Sequence, residues 1–402
     1  MKKTILFLQF ILLISCGLEK SEDLALGTYR ATITVQDNQQ LPFTFKVVTN
    51  SLIEIYNADE TIIVDEIGYQ NDSIIIQTPV FEGYIKAKIT NNGLIGHFIK
   101  ESYDRVVPFK AVKNEHRFNQ KLKAKYNITG NWETIFSENA TTERYIAKGV
   151  FQQKKNKVTG TFRTTTGDYR FLEGIVDGDS LKLSTFDGAH AFLFTAKITD
   201  STMVGNFYSG NHWKEPFVAK LNNNYELPSA ENLTFLKEGY KKFDFSFPNK
   251  HGKVVSLSDK QFQNKVTIVQ IMGTWCPNCL DESKFLTEYF KKHKKKNLEI
   301  VALAFEVAKT KEIAFKGIDR LQKRIGIEYP VLLAQIGSED KKLAHQKLPM
   351  LNHIISFPTT LFIDKSGNVR KIHTGFNGPA TGQKYIDFKN EFETFVSQLL
   401  QE

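Results

Sequence analysis

The stretch Ile271–Ser283, "IMGTWCPNCLDES", contains Cys276 and Cys279, two of the three cysteines in a chain of 402 residues. It continues "KVTIVQIMG" (Lys265–Gly273), an uninterrupted apolar run that is typical of a buried parallel strand. A helical pattern follows, with four apolar residues on one face: Phe285, Leu286, Tyr289 and Phe290. The sequence therefore predicts a strand, a short turn and a helix, with Cys276 at the start of the helix.

This position suits redox chemistry, because only a thiolate attacks a disulfide. Unpaired N–H groups and the dipole at a helix N-terminus stabilise negative charge on Cys276. Pro277 fits the first turn, where its missing N–H costs nothing. Cys279, one turn further on, is predicted to face the core, at a spacing that lets an intramolecular disulfide open and close.

Two other roles for the cysteine pair are less favoured. A structural metal site needs a second pair of ligands at matching spacing, and the sequence has no second CxxC, so no metal is expected. A permanent structural disulfide that closes so short a loop stabilises little.

The remaining C-terminal sequence predicts a small α/β unit. A second strand, "LEIVALAFE", precedes a helix that Gly326 ends, and a hairpin built on "FPTTLFID-KSGN-VRKIHTGF" precedes the terminal helix. We expect this domain to span residues 243–402, after a linker at residues 225–242.

The preceding region predicts β-structure only. In residues 27–224, apolar and polar residues alternate with a period of two, and turn signals recur between these alternating stretches. The region also repeats itself: "GTYRATI" at Gly27 matches "GNWETIF" at Gly130, and Gly96 recurs as Gly205. We expect two similar β repeats, at residues 27–114 and 128–224, each a small barrel or meander, or else the two halves of one barrel.

The third cysteine belongs to an export signal. "MKKTILFLQFILLISCG" has a basic start and an apolar run that is shorter than the roughly 20 residues that span a bilayer. "LISC" resembles a bacterial lipoprotein signal, which implies a signal peptide at residues 1–15, lipid attachment at Cys16 and a tether at residues 16–26. An ordinary signal peptide is the alternative. The net charge of +9 does not indicate a nucleic-acid partner, because an exported protein does not meet nucleic acid.

"GTWCPNC" after a buried strand and "SFPTTLFID" about eighty residues later together resemble the thioredoxin superfamily. The opening "FDFSFPNKHGKVVSLSD" and the insert between Ala308 and Gly326 resemble its TlpA/ResA-like branch of membrane-tethered thiol-disulfide oxidoreductases. The resemblance covers about residues 243–400. It implies an α/β thioredoxin-like domain there and says nothing about the β region. Together with the β pattern, the predicted fold is an all-β N-terminal region of two repeats followed by that domain.

By the same resemblance, Cys276 is the attacking cysteine, Cys279 the resolving one, and the two form the redox-active disulfide. Pro358 matches the cis-proline beside that disulfide, and Glu282 matches an acid that takes protons from the resolving thiol. Residues implied to contact the substrate are Trp275, Phe357 and Thr359. Two departures stand out: Gln270 replaces the buried Asp of thioredoxin, so that proton relay is absent, and no proline follows the glutamate in "DESKF".

The resemblance implies protein thiols and disulfides of the envelope as substrates, an upstream membrane electron donor and no cofactor. The expected location is the bacterial cell envelope, where a lipid anchor would hold a protein that faces the periplasm. The alternative function is a non-catalytic lipoprotein that binds a ligand through its β region and carries a vestigial thioredoxin-like module.

Overall fold

A computed structural model of the protein describes residues 23–294 and 296–402. Cys16 and the predicted signal peptide lie outside these residues. Within them, no helix combines the length and the apolar character needed to cross a bilayer.

The first β repeat forms one nine-stranded antiparallel sheet, which we call barrel 1. Its strands are β1 Gly27–Thr34, β2 Gln40–Thr49, β3 Leu52–Asn57, β4 Glu60–Val64, β5 Glu66–Gln70, β6 Ser73–Gln77, β7 Tyr84–Thr90, β8 Gly93–Lys100 and β9 Arg105–Lys113. Apart from β4 and β5, strands that follow each other in sequence pair, and β1 pairs with β9. The sheet ends at β4 and β5, which Asp65 alone separates in sequence, so barrel 1 is nearly closed.

The second β repeat forms a separate sheet, barrel 2. Its strands are β10 Gly130–Phe136, β11 Tyr145–Lys154, β12 Lys157–Thr164, β13 Gly167–Asp168, β14 Leu172–Asp177, β15 Ser180–Phe186, β16 Ala191–Ile198, β17 Thr202–Ser209 and β18 Trp213–Leu221. Pairing of β11 with β12 and of β10 with β18 closes the barrel, and β13 extends β12 at the rim. The prediction of two similar barrel-like repeats is confirmed, and the alternative of two halves of one barrel is wrong.

Aromatic side chains fill the interior of barrel 2, as expected for a barrel of about eight strands. Fully buried examples are Trp132, Phe136, Phe151, Phe162, Phe194 and Phe217. The repeated glycines have a packing reason. A Cβ atom on Gly96 would lie 2.1 Å from the Lys86 carbonyl oxygen, and one on Gly205 would lie 2.1 Å from that of Thr195. At both positions the neighbouring strand leaves no room for a side chain.

The third unit, the α/β domain, has a five-stranded sheet in the order β23-β22-β21-β24-β25 and a separate β19–β20 hairpin. The strands are β19 Ser246–Pro248, β20 Val254–Ser256, β21 Val266–Met272, β22 Leu298–Phe305, β23 Val331–Gln335, β24 Thr359–Ile363 and β25 Val369–Thr374. The helices are α1 Pro277–His293, α2 Lys311–Ile325, α3 Lys341–Lys347 and α4 Gln383–Gln401. Strands β21–β23 are parallel, and β24 and β25 are antiparallel to their neighbours. Every residue of the central strand β21 is buried, as its apolar run predicts.

The segment predicted as a linker lies along the α/β domain. Leu236 forms a backbone bridge with Leu351, and Glu231 forms one with His373. This part of the chain therefore adds to the surface of the domain that it precedes.

Both barrels pack against the α/β domain. From helix α2, Arg324 donates to Asp65 over 2.8 Å, and Arg320 donates to Glu66 over 2.9 Å. These contacts fix the seam between β4 and β5 of barrel 1. Barrel 2 contacts the start of helix α1, where the cysteine pair lies.

Candidate active site

The cysteine pair lies where strand β21 turns into helix α1. Cys276 is the N-cap of the helix, and the backbone N–H of Cys279 donates to its Sγ over 3.2 Å. The two residues form a disulfide with a Cα–Cα distance of 5.2 Å. Cys276 retains 6 % of its surface exposed and Cys279 none. An incoming sulfur can therefore reach Cys276 alone.

The loop before strand β24 lies directly against Cys276. The Phe357–Pro358 peptide bond is cis, and the Phe357 carbonyl oxygen lies 3.5 Å from the Cys276 Sγ atom. Trp275 contacts Phe357 edge-on, with 5.6 Å between ring centroids, and its indole N–H donates to the Phe305 carbonyl over 2.8 Å. Trp275 and Phe357 thus flank the exposed edge of the disulfide.

Glu282 is buried one helical turn beyond Cys279, although an exposed position in the first turns of the helix was equally compatible with the sequence. Gln270 and Thr360 each donate a side-chain hydrogen bond of 2.8 Å to its carboxylate. Burial raises the pKa of Glu282 to about 7, against the lowering effect of these two hydrogen bonds. The site therefore contains an acid that changes protonation near neutral pH.

Gln270 has a positioning role that the sequence analysis missed. Besides its bond to Glu282, its amide nitrogen lies 3.5 Å from the Cys279 carbonyl oxygen, and Ser283 donates to its amide oxygen over 3.0 Å. The signal was present in the sequence, since a glutamine interrupts an otherwise apolar buried strand and must find partners there.

A second buried carboxyl group, that of Glu306, fixes the turn before Trp275. Thr274 donates to it through its backbone N–H over 2.9 Å and through its hydroxyl over 2.6 Å. Burial raises the pKa of Glu306 to about 7. This residue at the end of strand β22 was not among the predicted site residues.

Not every predicted residue faces the disulfide. Thr359 is fully buried, its hydroxyl donates to the Ser356 carbonyl over 2.9 Å, and its backbone pairs with β21 and β25. Substrate contact through the Thr359 side chain is therefore not supported, whereas Phe357 and Trp275 line a cleft next to Cys276.

Barrel 2 supplies the opposite wall of that cleft, which the sequence analysis did not predict. Ser356 donates to the Thr166 carbonyl over 3.0 Å, and Asn278 donates to the Asp168 carbonyl over 3.2 Å. The Gly378 N–H donates to the Asp168 carboxylate over 2.6 Å. The rim hairpin β12–β13 is thereby attached to both sides of the cysteine pair.

Across residues 23–294 and 296–402, no group of three or more His, Cys, Asp or Glu side chains is arranged to hold a metal ion.

Comparison with known proteins places the similarity in the C-terminal part of the chain. A model of the Redoxin family matches residues 237–385. "Thiol-disulfide oxidoreductase ResA" of Geobacillus kaustophilus is 30% identical over 33% of this chain and 66% of its own length. The protein of that name in Bacillus subtilis is 28% identical over 40% of this chain and 79% of its own length.

Among solved structures, a putative thiol:disulfide interchange protein DsbE from Chlorobium tepidum is 25% identical, with a TM-score of 0.31. The alignment covers 41% of this chain and 99% of that one. The chain spans just under two thirds of the length of the first curated relative that it matches. The C-terminal part of this chain, beyond the two barrels, is thus similar to ResA-type thiol-disulfide oxidoreductases of the thioredoxin superfamily.

Proposed function

We propose that the protein is a thiol-disulfide oxidoreductase that exchanges disulfides with protein substrates through Cys276 and Cys279. Three features together carry the proposal. Cys276 caps a helix, the loop at Pro358 lies against its sulfur, and the buried acid Glu282 lies one helical turn beyond Cys279. Burial of a carboxyl group costs free energy. Glu282 is nevertheless held buried by two hydrogen bonds on the helix that carries both cysteines, which supports a part in their chemistry.

The reaction uses two successive exchanges. In the reduced protein, the Cys276 thiolate attacks one sulfur of a substrate disulfide, that bond breaks, and the departing sulfur takes a proton. The Cys279 thiol then gives its proton to the Glu282 carboxylate and attacks the Cys276 sulfur, which releases the second substrate thiol. The protein loses two electrons, the substrate gains them, and a dithiol donor reverses both steps.

The proposal gives distinct roles to the surrounding residues. The Cys279 N–H and the helix dipole stabilise the Cys276 thiolate. Because Cys279 is fully buried, the mixed disulfide is resolved within the molecule and not by a second protein. Gln270 holds Glu282 in place and takes the position of the acid that thioredoxin has on the strand.

We place this activity in the bacterial cell envelope, with Cys16 carrying lipid and a membrane protein supplying electrons. The signal-like N-terminus supports this location. Lipid contributes roughly 0.8 kcal/mol per buried methylene, so a multiply acylated cysteine anchors a soluble domain firmly.

Cys16→Ser should move the protein out of the membrane fraction and abolish palmitate labelling. Unchanged fractionation together with no labelling of the unaltered protein would remove the anchor from the account.

The two cysteines should behave differently when one is removed. In Cys279→Ser, attack by Cys276 on a substrate cannot be resolved, so mixed disulfides should accumulate on non-reducing gels and disappear with reductant. Cys276→Ser is the matched control and should trap almost nothing, because its remaining thiol is buried. Equal trapping by both variants, or none by either, would favour the alternative of a non-catalytic binding lipoprotein.

Resolution should depend on the ionisation of Glu282. Because its pKa is raised to about 7, the group is protonated below that pH and becomes a proton acceptor above it. The decay rate of a preformed mixed disulfide should therefore rise through about pH 7. Glu282→Gln should remove this rise and slow decay above pH 7 by about 10²-fold, a common contribution of a general base.

The matched control is Glu288→Gln, which changes an exposed glutamate on the same helix. Decay is measured by acid quenching and mass spectrometry. A Glu282→Gln profile that coincides with that of Glu288→Gln would exclude Glu282 as the proton acceptor.

A further inference from the structure

We propose that the cleft between barrel 2 and Cys276 is the substrate site, and that it selects disulfides carried on a slender, extended peptide over disulfides on the surface of a folded protein. This inference rests on the proposed function and names its substrate class.

The cleft has a volume of about 390 Å³ and lies between two different units of the chain. The α/β domain contributes Trp275, Cys276 and Phe357. Barrel 2 contributes Thr165, Tyr169 and Phe192. Cys276, the cysteine of the pair that keeps exposed surface, is therefore approached through a passage with walls on both sides.

The wall from barrel 2 is fixed in place. Its hairpin is bonded to Ser356 and to Asn278 on either side of the cysteine pair, and Gly167 forms a parallel bridge with Phe376. A Cβ atom on Gly167 would lie 2.4 Å from the Asn278 amide nitrogen, so the two surfaces are in close contact. Such a hairpin acts as a permanent wall.

A folded substrate protein would need the surface that this wall covers. A typical protein–protein interface buries roughly 800 Å² on each partner. Around Cys276 that surface is already packed against barrel 2, and 6 % of the residue remains exposed. The cleft volume falls near the lower end of the roughly 300–1,000 Å³ seen for small-ligand sites. A single extended chain fits these limits, and a domain surface does not.

The lining also indicates which side chains lie beside the substrate cysteine. Tyr145, Tyr169 and Phe192 of barrel 2 face Trp275 and Phe357 across the cleft. Aromatic surfaces favour apolar or aromatic neighbours, because ring contacts add to the free energy gained by burying apolar area. We therefore expect the preferred peptide to carry apolar residues next to its half-cystine.

The test compares one disulfide in two settings, using the full-length reduced protein. The first probe is a short linear peptide whose single cysteine, flanked by phenylalanine and leucine, forms a mixed disulfide with a small thiol. The second is the same sequence inserted as a surface loop of a folded carrier domain. Both rates are divided by the rate with dithiothreitol, which corrects for intrinsic reactivity. The free peptide should react at least about tenfold faster, equivalent to roughly 1.4 kcal/mol of transition-state binding.

A substitution pair tests the wall itself. Thr165→Trp narrows the cleft and should slow reduction of the free peptide at least about tenfold. Val204→Trp adds the same bulk at an exposed position of barrel 2 and should have no effect. Equal normalised rates for peptide and carrier, or full activity of a folded Thr165→Trp protein, would overturn the inference and leave the proposed function standing. Failure of Cys276 to exchange with any disulfide, small reagents included, would instead refute the proposed function.

Discussion

The arrangement of the molecule depends on one buried guanidinium group, that of Arg170. It belongs to barrel 2, yet it forms ion pairs with Glu60 of barrel 1 and with Asp281 of helix α1. Its Nε atom also lies 3.2 Å from the Asp187 carboxylate within barrel 2. Its side chain donates a further hydrogen bond of 3.1 Å to the Pro277 carbonyl, next to Cys276. One side chain thus joins all three units at the active-site end.

This cluster of Arg170 and its carboxylate partners holds the three units together, because separating the buried charges costs free energy. A buried charge that loses its partner leaves an uncompensated group, at a cost of about 3–5 kcal/mol. Here one cation serves three carboxylates, so its removal would leave all three buried without it. The position of the rim hairpin over Cys276 follows from this constraint. Barrel 2 therefore shapes access to the redox centre through its rim, while aromatic side chains fill its interior.

Much of the fold could be predicted from local sequence patterns. The apolar run before Cys276 and the Pro277 that follows fix a strand–helix junction through nearest-neighbour effects. The matching glycines Gly96 and Gly205 reflect the same requirement in both repeats: the neighbouring strand leaves no room for a side chain. The sequence could not distinguish one barrel per repeat from one barrel shared by both repeats. The alternation of apolar and polar residues shows which face of a strand is buried, but not which strands pair.

The site was predictable only where its chemistry is local in sequence. Cys276 and Cys279 are three residues apart, whereas burial of Glu282 depends on the rotation of helix α1 against Gln270 and Thr360. Contacts of Arg170 and Asp168 with the α/β domain join residues more than a hundred positions apart. Nothing in the stretch "TTTGDYR" distinguishes a hairpin that covers an active site from any other polar turn.

The central claim is that Arg170 holds barrel 2 over the redox centre, and the most direct measurement is the alkylation rate of Cys276 in the reduced protein. Mass spectrometry would follow this rate in Arg170→Met and in Arg144→Met, which changes an exposed arginine of the same barrel. Loss of the ion pairs should release the hairpin, so Cys276 in Arg170→Met should react at least about tenfold faster, the equivalent of roughly 1.4 kcal/mol in the opening equilibrium. Equal rates in the two variants, both matching the unaltered protein, would show that the wall over Cys276 does not depend on Arg170.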